Sequence, residues 1–155
     1  MSKGDFVDKN SISGIFADTL KDLMLEAKMQ VCTLASELNL NQSSIYKWLD
    51  GNTLPSLPNA VLIADRFCCS LDYLFGLKEH DYDYHPSTSS VSFGDRFKRF
   101  LKESGLTEYR FVRISGIARS KVSAWRNNHS LPCIENLVTM ATILNVTLDA
   151  LVGRE

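Results

Sequence analysis

The feature that most narrows what this chain can fold into is that it repeats itself. Displaced by roughly 77 residues, the sequence falls back onto its own pattern without a gap. Phe16 meets Phe93, Asp18 meets Asp95, Lys21 meets Lys98 and Glu26 meets Glu103. Ser43 meets Ser120, Trp48 meets Trp125, and Leu54-Pro55 meets Leu131-Pro132. Asn59, Val61 and Ala64 meet Asn136, Val138 and Ala141. Leu71-Asp72, Leu74 and Gly76 close the match on Leu148-Asp149, Leu151 and Gly153. About a quarter of the aligned positions are identical, and most of the rest keep their apolar or polar character. Between the copies, Lys78 to Ser90 has no apolar period and is rich in Ser, Asp and Pro, a linker composition. The expected organisation is a polar segment at 1–12, a first domain at 13–77, a linker at 78–91 and a second domain at 92–155.

Each copy reads as a series of short helices. Phe16, Leu20, Leu23, Met24 and Ala27 recur at helical spacing, as do Phe93, Phe97, Phe100 and Leu101. Ser92 with Asp95 resembles a capping box. A second helix carries Leu34, Ala35 and Leu38, or Phe111, Val112 and Ser115, and stops at Asn39 or Gly116. Those two residue types take the left-handed turn conformation most readily. A third helix starts at Asn41-Gln42 or Ala118-Arg119 and turns Ile45 and Trp48, or Val122 and Trp125, inward. Pro55 and Pro132 prevent its continuation. A fourth helix carries Leu57, Val61, Leu62 and Ala64, or Ile134, Leu137, Val138 and Ala141. A fifth starts at Ser70 or Thr147, buries Leu71 and Leu74, or Leu148 and Leu151, and stops at Gly76 or Gly153. No segment shows a period-two strand pattern. The fold class is all-α, in two tandem five-helix domains.

Composition excludes several classes. A chain of 155 residues with 45% hydrophobic and 23% charged residues is neither disordered nor membrane-embedded in character. Its longest aliphatic run, Ala60 to Ala64, is far below the ~20 residues of a bilayer span. The polar start carries no secretory signal pattern, so a cytoplasmic location is expected. Cys32, Cys68, Cys69 and Cys133 form no C-x-x-C pair, and with His80 and His85 they match no zinc-ligand spacing. The net charge of −1 hides an asymmetry. Acids outnumber bases in the first copy, whereas Arg and Lys dominate from Val91 onward. Such asymmetry points to polyanion binding by the basic half.

The run from Leu34 to Gly51, followed by Pro55, Leu62-Ile-Ala64 and Leu71-Asp-Tyr-Leu-Phe-Gly76, resembles the Cro/repressor-type (XRE) helix-turn-helix family. The second copy carries the same resemblance through Phe111, Val112, Gly116, Ile117, Ser120, Val122, Trp125, Pro132, Leu148, Asp149, Leu151 and Gly153. The resemblance implies lambda-repressor-like domains whose third helix enters the DNA major groove. Gln42, Ser43, Ser44 and Lys47 would then face bases in the first copy, and Arg119, Ser120, Lys121 and Ser123 in the second. Gln pairs with adenine through a donor and an acceptor, and Arg or Lys pairs with guanine O6 and N7. Gln30, Asn52, Thr107, Asn128 and His129 fall where phosphate contacts are expected, with Arg113 and Arg126 adding charge nearby. Three positions depart from the family pattern. Val31 and Glu108 stand where a Gln often starts the second helix, and Leu49 and Arg126 where a Glu commonly follows the buried residue of the third. Ala124 replaces the Lys47 of the first copy.

The resulting expectation is a sequence-specific transcriptional regulator, a repressor from a bacterium, phage or other mobile element. Its partner would be double-stranded DNA, with room for a homodimer and no membrane contact. In the alternative, the basic second copy binds DNA while the acidic first copy pairs with protein. A further alternative is an antirepressor module that does not bind DNA. No catalytic triad, metal-ligand set or phosphate-cradling glycine loop stands out, so neither an enzyme nor a cofactor is expected.

Overall fold

The computed structural model describes residues 11–79 and 91–154, so most of the expected N-terminal segment and linker, with His80 and His85, lies outside the described residues. All regular structure among the described residues is helical. The chain divides into two compact units. Unit 1 contains α1 (Ile12–Glu26), α2 (Val31–Leu38), α3 (Gln42–Leu49), α4 (Leu57–Arg66) and α5 (Leu71–Leu74). Unit 2 contains α6 (Phe93–Glu103), α7 (Glu108–Ser115), α8 (Arg119–Arg126), α9 (Ile134–Leu144) and α10 (Leu148–Val152). No described helix is long and apolar enough to cross a membrane.

Short hydroxyl side chains start six of these helices. The hydroxyls of Ser11, Ser56 and Ser70 accept from the backbone N–H groups of Gly14, Asn59 and Tyr73 in unit 1. Ser92, Thr107 and Thr147 do the same for Asp95, Arg110 and Ala150 in unit 2. Each bond satisfies one of the N–H groups that a helix start leaves without a partner. The helix ends repeat as closely. All ten described residues with positive φ form five pairs at the repeat spacing. They are Lys28 with Gly105, Asn39 with Gly116, Gly51 with Asn128, Cys68 with Asn145, and Gly76 with Gly153. The backbone plan is therefore duplicated even where the residue type is not.

Each unit closes its helices around its own apolar core. In unit 1, Phe16 stacks on Phe75 at 5.2 Å between ring centres and meets the edge of Trp48 at 6.2 Å. In unit 2, Phe97 meets Phe111 edge-on at 5.2 Å. The four phenylalanines Phe16, Phe75, Phe97 and Phe111 are fully buried, yet no two occupy equivalent places. Leu20 and Leu34 stand where unit 2 has Phe97 and Phe111, and Val152 stands where unit 1 has Phe75. Bulk has moved between positions while each core keeps two fully buried phenylalanines, the kind of exchange that cores tolerate. Val122 and Trp125 fill the place of Ile45 and Trp48, all buried as their spacing implied. The fourth-helix pattern needs one correction. Leu62 is 40% exposed, and Ile63 turns inward with Ala60 and Ala64.

Unit 2 also buries charge. Arg154 donates to the Asp149 carboxylate at 2.7 Å, both nearly inaccessible. Arg96 lies flat against Gly153, where a Cβ would come within 2.9 Å of the guanidinium. Its Nη1 is 3.5 Å from the Ala150 carbonyl oxygen, and its Nη2 is buried without a partner. A guanidinium held this way opposes folding. Unit 1 has Thr19 and Leu77 in place of these two arginines.

Candidate functional site

The second and third helices of each unit are joined by a turn of three residues, Asn39–Asn41 or Gly116–Ala118. The first turn residue is left-handed in both units, at φ 54° in Asn39 and 70° in Gly116. Leu40 and Ile117 follow it and are half-buried. The turn thus sends the chain from one helix into the next while an apolar anchor pins it to the core. The third helix then buries one face and exposes the other. In α3, Gln42, Ser43 and Lys47 are exposed and Ser44 is half-buried. In α8, Arg119, Ser120 and Lys121 are exposed and Ser123 is half-buried. These residues lie together on the open face of each unit.

The starts of the two helices differ. Asn41 caps α3, its carboxamide oxygen accepting from the Ser43 backbone N–H at 3.0 Å and from the Ser43 hydroxyl at 2.9 Å. Ser43 is thereby oriented from behind, and its oxygen remains an acceptor. Ala118 occupies the same place before α8 and supplies no side-chain cap.

The flanking candidates divide into exposed and engaged groups. Gln30 begins α2 without a capping bond, is exposed, and lies 3.6 Å from the Cys32 thiol. Asn52 is exposed. Thr107 caps α7. Arg113 is exposed, and its Nη1 donates to the Tyr109 hydroxyl at 3.3 Å. His129 is exposed on the loop after α8. Arg126 and Asn128 serve the fold. Arg126 forms an ion pair with Glu108, tying the last residue of α8 to the first of α7. Asn128 accepts from the Gly94 backbone N–H at 2.8 Å and donates to the Ser92 hydroxyl at 3.2 Å. It locks the loop after α8 onto the start of α6.

Two residues on this face escaped the sequence reading. Tyr109 and Arg110 project from α7 beside Arg113, with Tyr109 65% exposed. A helical spacing of four between Tyr109 and Arg113 was the available signal. With Ile114 they line a concavity of about 500 Å³. A second one, about 210 Å³, is lined by Tyr109, Val112, Arg119, Glu108 and Arg126. In unit 1, Cys32, Ser36, Asn39 and Gln42 help line a depression of about 470 Å³ between α2 and the start of α3.

At the outer edge of unit 1, Arg66 Nε donates to Glu37 at 2.5 Å. That hydrogen bond holds the Glu37 carboxyl below its usual range and raises the Arg66 guanidinium. Both side chains are exposed, so the pair ties α4 to α2 only weakly. No group of three His, Cys, Asp or Glu among the described residues is placed to hold a metal ion. Set against family models, curated proteins and solved structures, the chain matches none of them.

Proposed function

We propose that this protein is a sequence-specific, double-stranded DNA-binding transcriptional regulator of the Cro/repressor (XRE) helix-turn-helix kind, acting as a repressor through two tandem lambda-repressor-like domains. One observation carries the reading. In each unit a short helix that buries Ile45 and Trp48, or Val122 and Trp125, presents a polar, hydrogen-bonding face at its start. A left-handed three-residue turn joins it to the helix before. A recognition helix has these properties. Its first residues reach base edges in the major groove while the preceding helix crosses the backbone.

Under this reading Gln42 addresses adenine, Arg119 and Lys121 address guanine, and the serines allow close approach. Gln30, Thr107 and Asn52 stand at the rim, where neutral hydrogen-bonding groups suit phosphate oxygens. Asn128 and Arg126 act indirectly, holding the recognition helix in place. The whole chain with Arg119→Ala and Lys121→Ala is expected to lose specific retention in a gel shift at moderate salt. Retention equal to the unmodified chain would overturn the reading.

The acidic balance of unit 1 favours a second reading, in which unit 2 alone contacts DNA and unit 1 pairs with protein. Unchanged sequence preference in a Gln42→Ala/Lys47→Ala variant would select it.

A further inference from the structure

Sorting each unit's charges by their partners separates the two copies more sharply than their totals do. In unit 2, Arg96 and Arg154 are buried. Lys98, Arg99 and Arg126 are paired with Asp95, Glu103 and Glu108. The bases left without an ion pair among the described residues are Lys102, Arg110, Arg113, Arg119 and Lys121, all exposed. All but Lys102 lie on α7 and α8. Among the described residues of unit 2, the one exposed acid without an ion pair, Glu135, lies on α9. In unit 1, Arg66 is paired with Glu37. There Lys21, Lys28 and Lys47 stand among Asp18, Asp22, Glu26 and Asp50, none of them in an ion pair among the described residues.

A geometric observation joins the cations of α7 to those of α8. Tyr109 lines both concavities, with Arg110 and Arg113 in one and Arg119 in the other. The Arg113 guanidinium sits 5.8 Å from the centre of the Tyr109 ring and donates to its hydroxyl. That contact uses the phenol as an acceptor and leaves its proton for an outside oxygen. Unit 1 carries Cys32, Thr33 and Ser36 at the positions of Tyr109, Arg110 and Arg113.

We propose that Tyr109, Arg110 and Arg113 extend the DNA contact of α8 into a phosphate-binding belt, so that unit 2 supplies nearly all the salt-dependent affinity of the whole chain. The proposal rests on the DNA-binding reading above. It separates two tasks: both units read bases, and one supplies the counter-charge. Guanidinium groups suit phosphate oxygens because they present several donors in a fixed plane.

Fluorescence anisotropy of the whole chain with a random-sequence duplex tests this. Each phosphate neutralised contributes about 0.9 to the slope of log affinity against log salt. With Arg110, Arg113, Arg119 and Lys121 all engaged, affinity should fall roughly 150-fold between about 50 and 200 mM salt. In the Arg110→Gln/Arg113→Gln variant it should fall only about 12-fold over the same range. Arg110→Lys/Arg113→Lys should restore most of the steeper fall, and Lys21→Gln/Lys28→Gln in unit 1 should leave it untouched. Helical circular dichroism checks that each variant is folded. A glutamine variant that binds DNA with the unmodified slope overturns the belt and leaves the DNA-binding reading standing. An unmodified chain with no salt-sensitive DNA affinity overturns that reading itself.

Discussion

Gly94 has ordinary helical backbone geometry, so its importance comes from what lies beside it. A Cβ there would collide with the Arg126 carbonyl oxygen and approach both the carbonyl carbon and the Asn128 Nδ2 to 2.9 Å. The first of these is backbone and cannot swing aside. Unit 1 solves the same crossing in reverse, with Ala17 on the first helix and Gly51 in place of Asn128. The small residue has moved from one side of the contact to the other. Gly94→Ala should therefore cost about 2–3 kcal/mol, through overpacking and loss of the Asn128 bond. Gly105→Ala should cost only about 1 kcal/mol, because its φ is +68° but nothing lies within 4 Å of the added carbon. Denaturant midpoints at constant slope compare the two, and equal losses would sink the distinction. Residue identity made some turns legible and hid others. Asn39, Gly116, Gly76 and Gly153 announce a left-handed stop by type. Lys28 and Cys68 adopt the same conformation without any such signal, at φ 53° in both. The tertiary plan forces it on them, and only the alignment with Gly105 and Asn145 could have disclosed it.

At the scale of elements, the two copies place different chemistry at the start of the second helix and the end of the third. Glu108 opens α7 and pairs with Arg126 at the end of α8. The same two places in unit 1 hold Val31 and Leu49, both half-buried. The sequence names these residues but does not disclose that Glu108 and Arg126 form one contact. That requires the turn angle, which the turn's residue types do not specify. Because the pair is only partly exposed, removing one partner strands a charge in reduced contact with water. Glu108→Val alone, and Arg126→Leu alone, should each destabilise unit 2. The double variant installs the unit 1 residues and should recover about 1 kcal/mol of the summed loss. A double-mutant cycle by thermal unfolding measures that coupling, and strictly additive losses would show the contact to be incidental. Helix existence, order and most inward faces were legible here because they rest on periodicity, which survives substitution; Leu62, which the pattern turned inward, is an exception. Bridging roles such as those of Asn128 and Glu108 were not, because they depend on residues distant in sequence.

At the scale of the whole molecule, duplication of the backbone and divergence of the surface have opposite consequences for recognition. A homodimer of one such unit would present the same face twice and favour a palindromic site. This chain presents Gln42-Ser43-Ser44 on one unit and Arg119-Ser120-Lys121 on the other. Under the DNA-binding reading, these faces cannot prefer the same bases. A glutamine offers both a donor group and an acceptor group, whereas arginine and lysine offer donors only. Selection of bound duplexes from a random library by the whole chain should yield two unlike half-sites, one reading adenine and one reading guanine. Gln42→Ala should relax the first, and Arg119→Ala the second, each by about 1–3 kcal/mol at the affected base pair. Neither substitution should alter preference in the other half. The affinity losses should differ as well: Arg119→Ala also removes a cation that neutralises phosphate, so its effect should shrink as salt rises, while that of Gln42→Ala should persist. Two identical half-sites would mean that a second chain supplies the partner face. The internal duplication would then serve assembly rather than an asymmetric operator.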